Sequence, residues 1–432
     1  MPEVLLVKEF GEIKCGAAWD AEKRIVTTAQ RGQLERFSES FRRARGAPVF
    51  AHGPRGTLVA QNFVGVVCLG RYQVEVLPKV EAPDNLVRSN LMRMVAATLD
   101  LTLSGEAVGQ VERTDESVLE VMIRLFCAEL WMAVRRGLVR HYETQKENLV
   151  VMRGRLHVVR QLRHNLARPD RLYCTFDEFS EDNGLNRVLK AAVRILLDVT
   201  RSPSNIRSLS ELLFCFQDVM DIHPGVVQRE RIVLNRLSDR YRPLVALAEM
   251  FLQGYSPDVV SGHGHGFAVL FDMNELFEEY VGRQTRAALK PFGFNVTLQG
   301  PKRYLARSSE GSPAFELRPD IVAARDGKVT LIMDTKWKRL KENERREGVA
   351  SADAYQMFAY AERYDAEDVI LLYPHHSGLG VWKPRRATYE LGHGLGFGKR
   401  RVAVSTVDLT DLNSVRTQLS QVAQGCALDV AL

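Results

Sequence analysis

Two apolar runs flank an Asp-Gly pair between Phe315 and Trp337. The first ends Leu317-Arg318-Pro319-Asp320-Ile321-Val322-Ala323; the second reads Lys328-Val329-Thr330-Leu331-Ile332-Met333-Asp334-Thr335-Lys336-Trp337. Both are rich in Val and Ile, and Asp326-Gly327 between them is a tight-turn signal. The pattern predicts a β-hairpin with Asp320 on its first strand and Asp334 and Lys336 on its second. Side chains two apart on a strand share a face. Asp334 and Lys336 should therefore point the same way, and the hairpin should carry Asp320 close to them. The second strand begins almost wholly apolar, so its charges fall where a buried strand reaches a cleft.

Two carboxylates and a lysine on one sheet face suit phosphodiester hydrolysis. Paired carboxylates bind a hard cation such as Mg2+ through oxygen and usually leave it several waters. Such an ion lowers the pKa of a bound water and stabilises charge developing on a phosphoryl oxygen. The same three residues also fit a solvated strand end, so the wider chain has to decide between these readings.

Downstream, Gln356 and Tyr360 are four apart, one face of a helix that Ser351 can cap. Upstream, Asp272 is placed to cap a helix beginning Met273-Asn274-Glu275-Leu276-Phe277-Glu278. Arg318-Pro319-Asp320 followed by Asp334-Thr335-Lys336 resembles the PD-(D/E)XK nuclease superfamily. Gln356-x-x-x-Tyr360 resembles the additional motif of its RecB-like branch, and Met273 to Glu278 the helix that supplies another acidic residue. Three more segments resemble the McrC family, the nuclease subunit of McrBC-type modification-dependent restriction systems. They are the hairpin-like stretch from Asn62 to Val80 with its Leu77-Pro78-Lys79 ending, the basic Arg153-Gly154-Arg155, and Phe176 to Lys190. The resemblance runs from about Phe63 to about Pro374.

The resemblance implies a Mg2+-dependent endonuclease cutting double-stranded DNA. Asp320 and Asp334 would hold the ion together with the Thr335 carbonyl, and Lys336 would position or activate water. The family's Phe-Glu pattern selects Glu278 as the further acidic residue, with Glu279 beside it. Gln356 would position phosphate or water. The N-terminal region would engage a hexameric McrB-like AAA+ GTPase and stimulate its GTP hydrolysis. The chain itself has no Gly-x-x-x-x-Gly-Lys-Ser/Thr, so no P-loop is expected in it. Two other readings stay open: a non-catalytic assembly subunit of the GTPase, and a stand-alone DNA-binding protein.

The expected fold is multidomain α/β: a mixed α/β domain over residues 1–115, a helical middle region over 116–262 and a restriction-endonuclease-like α/β domain over 263–432. At 432 residues the length suits two or three domains. In the middle region a helix is expected from Val118 to Val139. Gly254 to Gly266 reads as a linker, its His263 and His265 as loop residues rather than metal ligands. In the last region strands are expected at Phe292–Leu298 and Val402–Val407, and a helix over Asp411–Val422. No run of about 18 apolar residues occurs, so no membrane span is expected. The first residues lack a secretion signal, and six scattered cysteines read as buried free thiols, which together suggest the cytoplasm.

Charge is unevenly spread. Residues 135–171 hold ten Lys or Arg against three acids, a surplus of seven that exceeds the whole-chain surplus of six. Arg153 and Arg155 in this stretch are candidate contacts to the phosphate backbone, and Tyr360 is a third candidate DNA contact. Arg385, Arg386 and Lys399-Arg400-Arg401, among glycines, suggest basic loops near the cleft.

Overall fold

The computed structural model describes residues 3–70, 72–101, 116–223, 232, 238–256, 266–341, 345–391 and 400–427. The chain forms two compact units. One comprises Met1–Pro2, Val67–Arg71 and Leu119–Val269; the other combines Glu3–Val66, Tyr72–Val118 and Leu270–Leu432. The second unit thus draws on both ends of the sequence.

Its N-terminal part opens with β1 (Glu3–Lys8), β2 (Glu12–Gly16) and β3 (Ile25–Thr27), then α1 (Thr28–Arg45). Thr27 and Gln30 form a reciprocal cap at the start of α1, which satisfies two amides that the helix leaves unpaired. β4 (Phe50–His52) and β5 (Leu58–Ala60) complete a small sheet in the order β3-β2-β5-β4. β6 (Phe63–Leu69), of which Phe63–Val66 belong to this unit, β7 (Tyr72–Leu77) and α2 (Asp84–Thr98) come next, and β1 runs parallel to β7 with Val7 opposite Val76. Glu75 on β7 is fully buried. It accepts two bonds from Arg88 Nε and one from Arg88 Nη2 on α2, and one from the Val118 amide at 2.8 Å.

The other unit holds most of α3 (Val118–Val134), whose Leu119, Met122, Ile123, Phe126 and Leu130 are buried as one stripe. This helix stops short of the expected Val139, and Gly137 just beyond it adopts a left-handed φ of +87°. The middle region is also not simply helical. β8 (His141–Leu149), β9 (Arg155–Leu156) and β10 (Leu172–Ser180) form an antiparallel sheet in the order β8-β10-β9, with α4 (Val158–His164) between β9 and β10. Tyr142, Leu156 and Phe179 on these strands are exposed and only Cys174 and Phe176 of β10 are buried at alternate positions, so the period-two signal in the sequence is short. α5 (Gly184–Val199) starts at an Asn183 cap and buries Leu185, Val188, Leu189, Ala192 and Leu196. Then come α6 (Pro203–Cys215), α7 (Arg242–Gly254), the two-residue β11 (Tyr255–Ser256) and β12 (Gly266–Asp272), whose residues from Leu270 on belong to the second unit. His263 and His265 lie outside the described residues.

The C-terminal part of the second unit is built on a six-stranded mixed sheet. Its elements in chain order are α8 (Met273–Leu289), β13 (Asn295–Leu298), β14 (Arg303–Arg307), β15 (Pro313–Leu317), β16 (Ile321–Arg325), β17 (Lys328–Thr335), α9 (Ser351–Tyr364), β18 (Asp368–Pro374), β19 (Ala387–Leu391), β20 (Arg400–Val407) and α10 (Val415–Ala427). The sheet order is β13-β16-β17-β18-β20-β19, with β17, β18 and β20 parallel; β14 and β15 form a separate pair. Val322, Ile332, Val369, Leu371, Val402 and Val404 form one core with Met357, Tyr360, Ala361 and Tyr364 of α9. Strand alternation sends their neighbours to the other face, where α8 and α10 meet β17.

Several boundaries differ from expectation. Residues 290–292 form a 3-10 turn, so that strand begins only at Asn295, and the last helix begins at Val415 instead of Asp411. Ala350, not Ser351, is the N-cap of α9, and it provides no side-chain bond. Cys127 and Cys174 are buried free thiols as expected, but Cys15 is exposed. Among the described residues no helix is long and apolar enough to cross a membrane.

Removing the Glu75 carboxylate would take the buried acceptor from the Val118 amide and the anionic partner from Arg88. Glu75→Ala should cost about 3–5 kcal/mol of stability, read as a lowered midpoint in urea; a midpoint like that of the wild type would show that the pair is dispensable.

Candidate active site

The hairpin forms as the sequence predicts. Asp326 and Gly327 both have positive φ, +52° and +79°, and Arg325 pairs with Lys328 across the two-residue turn. Farther along, Ala324 faces Val329 while Ala323 faces Leu331, so Thr330 is an extra residue in β17. The shift brings Val322 opposite Ile332 and Ile321 opposite Met333. Continued by one residue, this register sets Asp320 opposite Asp334. Asp320 stands one residue before β16 and Lys336 one residue after β17, both at strand ends and not inside them as expected.

The two ends are tied together. Asp320 Oδ2 accepts from the Thr335 amide at 2.7 Å and from Thr335 Oγ1 at 2.8 Å. Lys336 Nζ forms an ion pair with Asp334 Oδ2 and donates to Gln356 Oε1 at 3.3 Å. Gln356 Nε2 donates to the Tyr360 hydroxyl at 2.8 Å, and that hydroxyl donates to the Arg318 carbonyl at 3.2 Å. A continuous polar chain therefore runs from Asp334 through Lys336, Gln356 and Tyr360 to the Arg-Pro-Asp turn.

Glu278 joins the carboxylates from α8. Its carboxyl is pushed up to about 8, first by burial and then by the charges of Asp320 and Asp334, with Arg318 working the other way. Asp334 is 1 % exposed and is pushed up to about 6 by burial and by Asp320, against the pull of Lys336. Glu278 Oε1 is buried with no hydrogen-bond partner. Glu279, the alternative, pairs with Arg283 and lines a separate cavity of about 370 Å³ with Asp272 and Glu275.

Among the described residues, no three His, Cys, Asp or Glu side chains are arranged as a metal-binding set. Mg2+ does not require one, since one or two carboxylates with waters and other oxygens suffice. The donors present fit that description: two facing carboxylates, and a third with an orphaned oxygen beside them. The Thr335 amide is turned toward Asp320, and on a strand a residue's amide and carbonyl face the same side, so its carbonyl lies toward β16.

Other candidates fall elsewhere. Tyr360 is 2 % exposed and holds the Arg318 carbonyl, so it is not a surface for DNA as expected. Arg153 and Arg155 belong to the other unit. Arg153 lies 4.1 Å over the Phe176 ring and pairs with Glu178, while Arg155 is exposed on β9. Arg386, Arg400 and Arg401 are paired with Glu347, with Glu362 and Asp365, and with Asp368, so the expected basic loops are largely neutralised at these positions. Lys399 and the glycines from 392 to 398 lie outside the described residues. Asp353 is not among the residues that the sequence motifs pick out. It sits three residues before Gln356 on α9, accepts from Lys338 and Tyr373, and its charge acts on both Asp334 and Lys336. The i, i+3 spacing to Gln356 is the one signal the sequence holds for it.

A family model described as McrBC 5-methylcytosine restriction system component matches residues 58–374. The chain belongs to this McrBC family. The McrBC fold is also seen in two solved relatives from Thermococcus gammatolerans. One is a chain of the half-complex from a tetradecameric assembly of McrB AAA+ hexamers with bound McrC: 20 % identical, TM-score 0.71, covering 98 % of this chain and 99 % of that one. The other is a chain of the McrBC complex: 24 % identical, TM-score 0.52, covering 66 % of this chain and 88 % of that one. Comparison with curated proteins gives no match.

The raised Glu278 carboxyl makes a pH prediction. In an unfolded chain it titrates near 4.5 and in the fold near 8, so it favours the metal-free fold fully below about pH 4.5 and loses that contribution as pH rises through about 8. In EDTA, the Tm of the wild type should fall between about pH 5 and 8 more steeply than that of Glu278→Gln. Equal slopes would show that the Glu278 carboxyl is not raised in the fold.

Proposed function

We propose that this chain is the Mg2+-dependent DNA endonuclease subunit of an McrBC-like restriction system, working in the cytoplasm with an McrB-like AAA+ GTPase. The observation that carries the reading is the facing of Asp320 and Asp334 across β16 and β17, with Lys336 ion-paired to Asp334 and braced by Gln356. A strand end kept only for scaffolding has no use for a buried Asp334 carboxyl raised by its burial and by the charge of Asp320 opposite it.

Asp320, Asp334 and the Thr335 carbonyl would hold the ion, with Glu278 beside them. When bound, Mg2+ supplies Lewis-acid stabilisation of the phosphoryl oxygen and a water of lowered pKa. Lys336 Nζ holds the attacking water or a phosphate oxygen, and Gln356 Oε1 fixes the direction of that ammonium. Thr335 fixes the Asp320 carboxylate through two donors. The water oxygen bonds to phosphorus, one P–O ester bond breaks, and the products are a phosphate monoester and an alcohol. Arg153 and Arg155 would contact the DNA backbone, and the N-terminal region would engage the GTPase and stimulate GTP hydrolysis.

The test is cleavage of methylated double-stranded DNA by this chain with its AAA+ partner, GTP and Mg2+. Asp334→Ala and Lys336→Ala should each lower cleavage by more than about 100-fold, and Gln356→Ala, one step removed, by about 10-fold. Stimulated GTP hydrolysis should persist in all three. Undiminished cutting by Asp334→Ala would remove the site. No cutting by the wild type, with GTPase stimulation intact, would favour the non-catalytic assembly subunit.

A further inference from the structure

Beyond Thr335 the chain leaves the sheet, and the Lys336 amide, donating to the Leu372 carbonyl at 2.9 Å, still ties it to β18. The Lys338 amide then turns back onto the Lys336 carbonyl at 2.8 Å. Residues 337–339 are gripped by groups from the start of the chain. Trp337 Nε1 donates to both oxygens of Glu9, at 3.0 and 3.1 Å. Lys79 Nζ donates to the Trp337 carbonyl at 3.3 Å and lies over the rings of both Trp337 and Phe10. Arg339 donates to the Lys79 carbonyl at 2.9 Å and pairs with Glu81, which in turn accepts from the amide and hydroxyl of Ser377.

The indole also reaches the other side of the site. Its ring packs against Phe277, centroids 5.2 Å apart, and Phe277 precedes Glu278 on α8. Trp337 thus touches the sequence neighbour of Glu278 and is itself the neighbour of Lys336. Glu9 and Trp337 are 4 % and 5 % exposed, so this is an interior contact, not a surface tether. Burial raises the Glu9 carboxyl, and the Lys79 ammonium, the Lys79 amide and the indole N–H counter only part of that rise. A carboxylate in such surroundings is costly unless every partner is in place.

We propose that Glu9 is a positioning residue for the nuclease site, acting through Trp337 to set the placement of Lys336 and Glu278. The inference rests on the function proposed above. It makes the active-site geometry depend on the turn after β1 and on the Leu-Pro-Lys ending of β7, elements far from Asp334 in sequence. Reaction rates respond steeply to such placement, with about 1 Å of displacement costing on the order of 100-fold.

The full chain, assembled with its AAA+ partner, GTP and Mg2+, provides the test with Glu9→Ala, Glu9→Gln and Trp337→Phe. Glu9→Ala should lower kcat for DNA cleavage about 10- to 100-fold and raise the Mg2+ concentration for half-maximal rate, with KM for DNA within about 2-fold. Glu9→Gln keeps an oxygen acceptor for the indole N–H and should restore kcat to within about 3-fold of wild type. Trp337→Phe keeps a ring against Phe277 but has no N–H, and should lose about 10-fold in kcat. Stimulated GTP hydrolysis should stay within about 2-fold throughout, which separates mispositioning from lost engagement of the partner.

A wild-type kcat in Glu9→Ala overturns the proposal, as does a loss that appears only in KM or one that takes GTPase stimulation with it. If Glu9→Ala does not fold, Trp337→Phe decides, and full activity there overturns the proposal. Asp334→Ala run alongside keeps the two claims apart. If it still cuts, the site itself is wrong. If it is inactive while Glu9→Ala and Trp337→Phe cut normally, only the positioning role falls.

Discussion

The register of β16 against β17 governs where the carboxylates meet. From the Asp326-Gly327 turn alone, Asp320 would stand opposite Met333, an apolar residue on the other face from Asp334. The extra residue Thr330 shifts the pairing by one and sets Asp320 opposite Asp334. A slip of one residue turns every side chain of a strand to the opposite face, so the same shift also lets Val322 and Ile332 pack together beneath α9. Core and site therefore ask for the same register. The two Thr335 donors on Asp320 then fasten the strand ends where the regular ladder stops.

Charge concentrated at that point has to be balanced. Burial, and after it the charge of Asp320, raises both the Asp334 and the Glu278 carboxyls, and the charge of Asp334 adds to the rise at Glu278. Lys336 answers Asp334 directly, and Arg318 acts on Glu278 from the Arg-Pro-Asp turn. On the proposed function, a divalent cation would supply the remaining counter-charge. Gln356 and Tyr360 hold the lysine and the turn without adding further charge.

Much of this is legible in the sequence. The Asp-Gly turn, the apolar strands, the Asp272 cap and the Gln356–Tyr360 spacing all obey local rules, and the structure keeps each of them. Three features are not legible. The bulge at Thr330 carries no distinctive residue, because its cause is the packing of two distant faces. The β8-β10-β9 sheet is not legible because β8 is almost wholly polar and β9 is two residues long, which leaves only Cys174 and Phe176 of β10 buried two apart. The Glu9–Trp337 contact joins residues 328 positions apart, and no local pattern marks a buried carboxylate whose partner is an indole. Tyr360 shows a further limit: a motif fixes its helical face correctly but not whether its hydroxyl meets DNA or backbone.

A single metal site made by Asp320, Asp334 and the Thr335 carbonyl is tested most directly by a crystal structure of the full chain with Mn2+ in place of Mg2+, the ion located by anomalous scattering. One strong peak is expected at the ends of β16 and β17, contacted by both carboxylates and that carbonyl, and lost in Asp334→Ala. A Mn2+-supported nuclease whose ion lies elsewhere, or a peak that survives Asp334→Ala, would contradict such a site.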